Sequence, residues 1–286
     1  MRPRRSVLYM PAANERALEK AKTIAADAII FDLEDAVAPD AKQQARANAV
    51  AAANSGAYGT RELTIRCNGL DTPWGVDDLA AVSQTAVAAV VIPKVSSVAY
   101  LAKVADRLDA AGARADMRIW AMIETPTAIL DARAIAAHWR VEVLVMGTND
   151  LARELRSSHS AAARYPLLPH LAASLLAARE AGKTILDGVF NDVKDLAAFR
   201  AECDQGFELG FDGKTLIHPG QVDICNEVWS PSKQEVEHAW RVIAAFEEAT
   251  TTGRGVITVD GKMIESLHVA NAQRVLALAN AINELG

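Results

Sequence analysis

The sequence predicts an α/β fold, a (β/α)8 TIM barrel with a C-terminal helical extension and lid, and two observations carry that reading. Short, nearly continuous apolar runs alternate with longer segments of 3.6-residue period from the first residues to about Asp212, the pattern of parallel strands covered by helices. Eight such units follow one another, and the first strand leads into Met10-Pro11-Ala12-Ala13-Asn14, which has no glycine. A doubly wound sheet would need a Gly-rich nucleotide loop there. A chain of 286 residues is also a suitable size for one barrel.

Strands are expected at Ser6–Met10, Ala28–Leu33, Glu62–Arg66, Ala89–Pro93, Ile119–Ile123, Val141–Met146, Thr184–Asp187 and Gly213–Ile217. Helical periodicity is clearest over Asn14–Ile24 and Ser96–Ala111. Asn14, Ser96 and Thr125-Pro126 read as N-caps, and Pro39-Asp40 opens the helix after the second strand. After His218-Pro219-Gly220 come helix-like segments to about Thr252, a Gly253-Arg254-Gly255 hinge, a strand-like Val256–Val259, an Asp260-Gly261 turn and a last helix from about His268. The expected division is a catalytic barrel over residues 1–230 and a C-terminal extension and lid over 231–286.

Composition narrows the function classes. A net charge of −6 and the absence of a Lys/Arg-rich block argue against nucleic acid as a partner. No run approaches the roughly 20 apolar residues of a membrane span. Cys67, Cys203 and Cys225 are far apart and form no Cys-x-x-Cys pair. That argues against a disulfide framework or zinc ribbon and for a reducing, cytoplasmic setting.

Catalytic groups of such barrels gather at the C-terminal ends of the strands. Alternation along Ile29–Asp35 puts Ile30, Asp32 and Glu34 on the inner face, with Glu34 at the rim. The same rule pairs Thr64 with Arg66. Lys94, Glu124 and Asp150 follow the fourth, fifth and sixth strands. Taken singly, Asp32 reads as a partner of Thr64 or Lys94, and Arg66 as an ion pair with Glu34. Taken together, three carboxylates and two cations converge on one rim. Glu124 and Asp150, leaving neighbouring strands beside a glycine turn, can hold a divalent cation between them. Carboxylate oxygens suit Mg2+, with Mn2+ as the substitute ion, and no His or Cys at the rim favours zinc. Such an ion can chelate a 2-hydroxy or 2-oxo acid, while Arg66 offers a planar fork for a carboxylate or oxyanion. This is a site for carbon–carbon chemistry next to a 2-oxo acid.

Several motifs then resemble a known family. They are Phe31-Asp32-Leu33-Glu34-Asp35-Ala36-Val37, Ile65-Arg66-Cys67-Asn68-Gly69, Pro93-Lys94-Val95, Ile123-Glu124-Thr125-Pro126, Gly147-Thr148-Asn149-Asp150, Gly210-Phe211-Asp212-Gly213-Lys214 with Ile217-His218-Pro219, and Gly261-Lys262-Met263-Ile264. Together they resemble the citrate lyase β-subunit-like branch of the HpcH/HpaI aldolase superfamily, which includes malyl-CoA and citramalyl-CoA lyases.

The resemblance implies a Mg2+-dependent lyase that cleaves a β-hydroxyacyl-CoA into acetyl-CoA, or a homologue, and a 2-oxo acid. Glu124 and Asp150 would be the metal ligands, Arg66 would contact the substrate carbonyl, and Glu34 and Asp35 would hold metal-bound waters. The Gly147, Thr148 and Asn149 backbone would receive the acid's carboxylate. Tyr9, Pro11 and Asn14 would line the CoA path. It also implies a homotrimer, or a dimer of trimers, with the lid crossing between subunits.

Two positions depart from the family pattern. Glu265 stands where many CoA lyases have the lid Asp that moves a proton at the acetyl carbon; alternatively, it caps the last helix. Thr148-Asn149 replaces an acidic position of citrate lyase subunits. Other readings of the same residues are a citrate lyase β subunit acting on a carrier-protein thioester, a thioesterase or synthase using the same enolate site, and a non-catalytic CoA-binding barrel.

Overall fold

The computed structural model describes residues 2–158, 164–252 and 257–285. Eight parallel strands close on themselves: β1 Ser6–Pro11, β2 Ala28–Asp32, β3 Glu62–Arg66, β4 Ala89–Ile92, β5 Arg118–Ile123, β6 Val141–Met146, β7 Thr184–Asp187 and β8 Gly213–Leu216. Around them run α1 Glu15–Ala21, α2 Lys42–Asn54, α3 Gly75–Val82, α4 Val98–Ala110, α5 Pro126–Leu130, α6 Ala132–Ala137, α7 Thr148–Leu155, α8 Leu168–Glu180, α9 Leu196–Leu209 and α10 Val222–Val228. Pairing of β1 with both β2 and β8 completes the (β/α)8 barrel. Expected strands and observed strands agree to within a residue at each end.

Alternation decides what fills the barrel. Val7 and Tyr9, Ala28 and Ile30, Ala89 and Val91, Trp120 and Met122, and Val143 and Val145 form one buried cluster with Leu186. These are every second residue of their strands, the interior set that a period of two demands. Continuing the same parity one step further reaches Asp32, Glu124 and Gly147, and on β3 it leads from Thr64 to Arg66. The polar rim is therefore the top layer of the interior rather than a decoration on the loops.

The opposite end is closed by Arg4. Its guanidinium donates to Glu62 at 2.7 and 2.8 Å and to Glu142 at 2.6 Å, and it lies 5.2 Å from the centre of the Trp120 ring. Removing one member of a buried ion pair leaves the other uncompensated. Arg4→Ala is expected to lower stability by about 3 kcal/mol, read by chemical denaturation. A loss below about 1 kcal/mol, the worth of an exposed pair, would contradict the plug.

Helix starts largely follow their capping residues. Asn14 accepts from Ala17 N at 3.1 Å and Thr125 from Ala128 N at 3.1 Å. The cap before α4 is Ser97, which accepts from Tyr100 N at 3.2 Å, rather than Ser96. Pro39 begins a short 3-10 turn, Pro39–Ala41, that leads into α2.

The chain divides into two compact units, Arg4–Val228 and Met1–Pro3 with Trp229–Gly286. In the second, α11 Lys233–Thr252 and α12 Ser266–Leu285 accompany a hairpin of β9 Ile257–Val259 and β10 Lys262–Ile264. Asp260 and Gly261 both have positive φ, 51° and 75°, as a two-residue hairpin turn with right-handed strand twist requires. The turn was expected from the sequence, whereas β10 was not. Ala239, Val242, Val259, Ile264, Val269, Ala272 and Leu276 form this unit's own core. The expected Gly253-Arg254-Gly255 hinge and Val256 lie outside the described residues. Among the described residues, no helix is long and apolar enough to cross a membrane.

Candidate active site

The site begins with strand register. Asp32 on β2 is paired with Arg66 on β3, so their inward side chains stand side by side. Arg66 Nε donates to Asp32 Oδ1 at 2.7 Å and Nη2 to Oδ2 at 2.5 Å, a bidentate fork. Asp32 also accepts the backbone N–H groups of Glu34 and Ala36, at 2.9 and 3.2 Å. One carboxylate thus aims the guanidinium and shapes the loop that carries Glu34. This corrects the expectation that Asp32 pairs with Thr64 or Lys94.

Arg66 also reaches Glu34, Nη1 to Oε2 at 2.9 Å, and lies 3.9 Å from Asp35. Glu34 is buried while Asp35 is exposed. Burial raises the Glu34 carboxyl above its ordinary range, against the pull of Arg66. Beneath the guanidinium sits the Tyr9 ring, 4.7 Å from it, with its hydroxyl against Met122 Sδ at 3.9 Å. Burial holds that hydroxyl protonated. Tyr9 is therefore a floor for Arg66 inside the barrel, not a residue along an open CoA path. Pro11 and Asn14 do reach the surface, where an open cavity of about 690 Å³ is lined by Pro11, Ala13, Asn14, Glu15, Arg16 and Ala36.

One strand beyond β4, Glu124 follows β5 and is almost fully buried. Its Oε1 accepts the N–H of Lys94 at 2.6 Å. Its other oxygen lies against Gly147, where a Cβ would stand 2.3 Å from Glu124 Cβ and Oε2. Only glycine leaves room for the carboxylate here. Burial, then the nearby Glu34, push the Glu124 carboxyl up to about 8, with Asp150 adding to the effect and the Lys94 N–H and Arg66 opposing it. Three acidic groups are close enough to feel one another.

Asp150 lies in the first turn of α7, with Oδ1 held by Arg153 Nη2 at 2.6 Å. The first-turn N–H groups of a helix lack partners within it, so Thr148, Asn149 and Asp150 offer donors suited to an anion. The Thr148 side chain is buried against Gly188, and the Asn149 amide exchanges hydrogen bonds of 3.1 and 2.8 Å with Asn191. What these two residues can offer a ligand is chiefly backbone.

The carboxylates at this rim fit a Mg2+ ion. Such an ion is commonly held by one or two carboxylates, its remaining positions going to water and substrate. A carboxyl raised first by burial and then by its acidic neighbours is a place where added positive charge is favourable. Among the described residues no group of three or more His, Cys, Asp or Glu side chains forms a closed metal cage, so the fit is to a sparse oxygen site.

Sequence reasoning missed the support beneath the rim. Lys42 Nζ donates to Leu33 O, Glu34 O and Asn68 Oδ1 at 2.7–2.8 Å. Asn68 in turn donates to Leu33 O and to Asp78, which accepts from Arg46 at 2.6 Å. The available signal was Lys42 on the inward face of a helix otherwise lined by alanines. Glu265 belongs to the other unit. Its carbonyl starts α12 by accepting from His268 N at 3.0 Å, its N–H donates to His268 Nδ1 at 2.9 Å, and it is exposed. In this structure it occupies the N-terminal capping position of the last helix.

Known proteins resemble this chain over nearly its whole length. The chain is 52% identical over 284 residues to a (3S)-malyl-CoA thioesterase of Cereibacter sphaeroides, covering 99% of this chain and 97% of that one. It is 37% identical to the citrate lyase subunit beta of Escherichia coli over 97% of this chain and 94% of the relative. The protein CitE of Mycobacterium tuberculosis, solved in complex with magnesium, acetoacetate and coenzyme A, superposes with a TM-score of 0.78 at 29% identity, covering 96% of this chain and 97% of that one. Residues 5–219 match the model of one enzyme family. The chain belongs to the HpcH/HpaI aldolase/citrate lyase family.

Proposed function

We propose that this chain acts, with Mg2+, on a CoA thioester of a malate-like hydroxy acid, and that it hydrolyses the thioester. The observation that carries the reading is the placement of Arg66, locked by Asp32, at the same barrel mouth as the buried Glu124. The likeness to (3S)-malyl-CoA thioesterases over nearly the whole of both chains supports hydrolysis as the outcome.

Glu124 and Asp150 would hold the cation, which, when bound, supplies a Lewis acid and a template for the acid's oxygens. The chain's own groups do the rest. The N–H groups at the start of α7 receive the acid's carboxylate. Arg66 donates to the thioester carbonyl oxygen as negative charge develops there. Glu34, made more basic by burial, takes a proton from the attacking water. The new C–O bond forms, the C–S bond breaks, and CoA leaves as a thiolate that gains a proton. Pro11 and Asn14 would border the CoA path.

Carbon–carbon cleavage is the second reading, favoured by the 37% likeness to citrate lyase β subunits. The same Arg66 donor would then stabilise an enolate instead of a tetrahedral oxyanion, with Glu265 as the proposed proton carrier. Product analysis separates the two. With (3S)-malyl-CoA, hydrolysis yields free CoA and malate, whereas cleavage yields acetyl-CoA and glyoxylate. Malate with stoichiometric free thiol is the expected result, and glyoxylate without free thiol would replace hydrolysis by cleavage. Turnover of this free CoA ester also excludes a strict need for a carrier protein and the non-catalytic reading.

A further inference from the structure

Lys94 is the residue whose backbone and side chain both touch the acidic rim. Its φ is +49°, a left-handed conformation that a lysine rarely adopts. The strained peptide points its N–H at Glu124 Oε1, 2.6 Å away. Its ammonium lies 3.4 Å from Glu34 Oε1, a loose contact on a half-exposed side chain. The charges facing it come from four elements. Glu34 and Asp35 lie on the loop after β2, Glu124 follows β5 and Asp150 begins α7, while Arg66 on β3 is the opposing cation.

Resting on the metal reading under Proposed function, we propose that Lys94 is a positioning residue and the resident counter-cation of this rim. Its N–H aims Glu124. Its ammonium steadies Glu34 and offsets the negative charge that a divalent cation meets on entry, so the two cations compete for the same carboxylates. The rim stays assembled without metal, at the cost of weaker metal binding. The loose Glu34 contact and the half-exposed stem leave the ammonium free to withdraw into solvent when the ion enters.

Calorimetric titration of the full chain with MgCl2 alone tests this. K94M and K94G both lose the ammonium, and glycine keeps the left-handed backbone without strain. Each is expected to bind Mg2+ about tenfold more tightly than wild type at low salt. The gap should shrink as salt screens the missing charge. K94R, which keeps the charge, should bind like wild type. In chelator, K94M should melt below wild type because Glu34, Glu124 and Asp150 lose their neighbouring cation.

Affinity in K94M equal to or weaker than wild type at low salt overturns the proposal, as does a gain in K94G that K94M does not share. A wild-type chain that binds no Mg2+ overturns the metal reading and this inference together. Wild-type binding with an unchanged K94M overturns the inference alone.

Discussion

Arg66→Lys is expected to lower kcat by roughly 10²–10³-fold with little change in KM, because a donor to a developing oxyanion is worth about 3–4 kcal/mol in the barrier. Lysine preserves the charge, so Asp32 and Glu34 keep a cationic partner and the barrel is not left with an unpaired buried carboxylate. It cannot preserve the fork. The guanidinium gives Asp32 two N–H groups and still directs Nη1 towards Glu34 and the mouth, while resting on the Tyr9 ring. An ammonium held by Asp32 sits lower in the interior and reaches neither group well. The effect belongs in kcat since the donor acts on charge that appears only in the transition state. Steady-state kinetics with a thermal melt as control would check it. A variant that folds normally and keeps kcat within threefold would remove Arg66 from the chemistry.

Glu124→Gln separates the site's stability from its function. The wild-type carboxyl titrates near 8, above the ordinary 4.5 of an unfolded chain. The folded state therefore binds more protons between those values, and stability falls as pH rises through that window. Gln stays neutral throughout and can still accept the Lys94 N–H. Without divalent cation, the variant should match wild type near pH 4.5 and exceed it by roughly 4 kcal/mol at pH 8, on the order of 10 °C in Tm. Added Mg2+ should reverse the order, raising the wild-type Tm by ligand linkage and leaving the variant unmoved. Activity should be lost. A wild type whose Tm ignores both pH and Mg2+ relative to the variant would contradict this account of Glu124.

Much of the molecule is legible in the order of its residues. The eight apolar runs give the barrel, and parity along Ile30, Asp32 and Glu34 gives the inward carboxylates, because both depend only on a period of two. Glu124 and Gly147 are readable for the same reason, one step beyond the interior residues of β5 and β6. Register is less accessible. Alternation shows that Asp32 faces inward, but only the stagger between strands makes Arg66 its partner in place of Thr64 or Lys94. The CoA path through Tyr9 came from the family resemblance alone, and the closed barrel turns that ring inward, beneath Arg66. The Lys42–Asn68–Asp78 support joins two helices, α2 and α3, through the loop after β3, and no local pattern predicts such a meeting. Glu265 is readable as a helix start, whereas a role in proton transfer belongs to chemistry that spacing does not encode.

The central claim is that this rim uses Mg2+ to act on a malyl-type CoA thioester. The most direct measurement is the release of CoA thiol from (3S)-malyl-CoA by purified protein, followed with Mg2+, after excess chelator, and after Mg2+ is restored. The account predicts release that stops with the chelator, resumes with the metal, and is absent in Glu124→Gln throughout. Release that continues in chelator, or that survives in the variant, would contradict it.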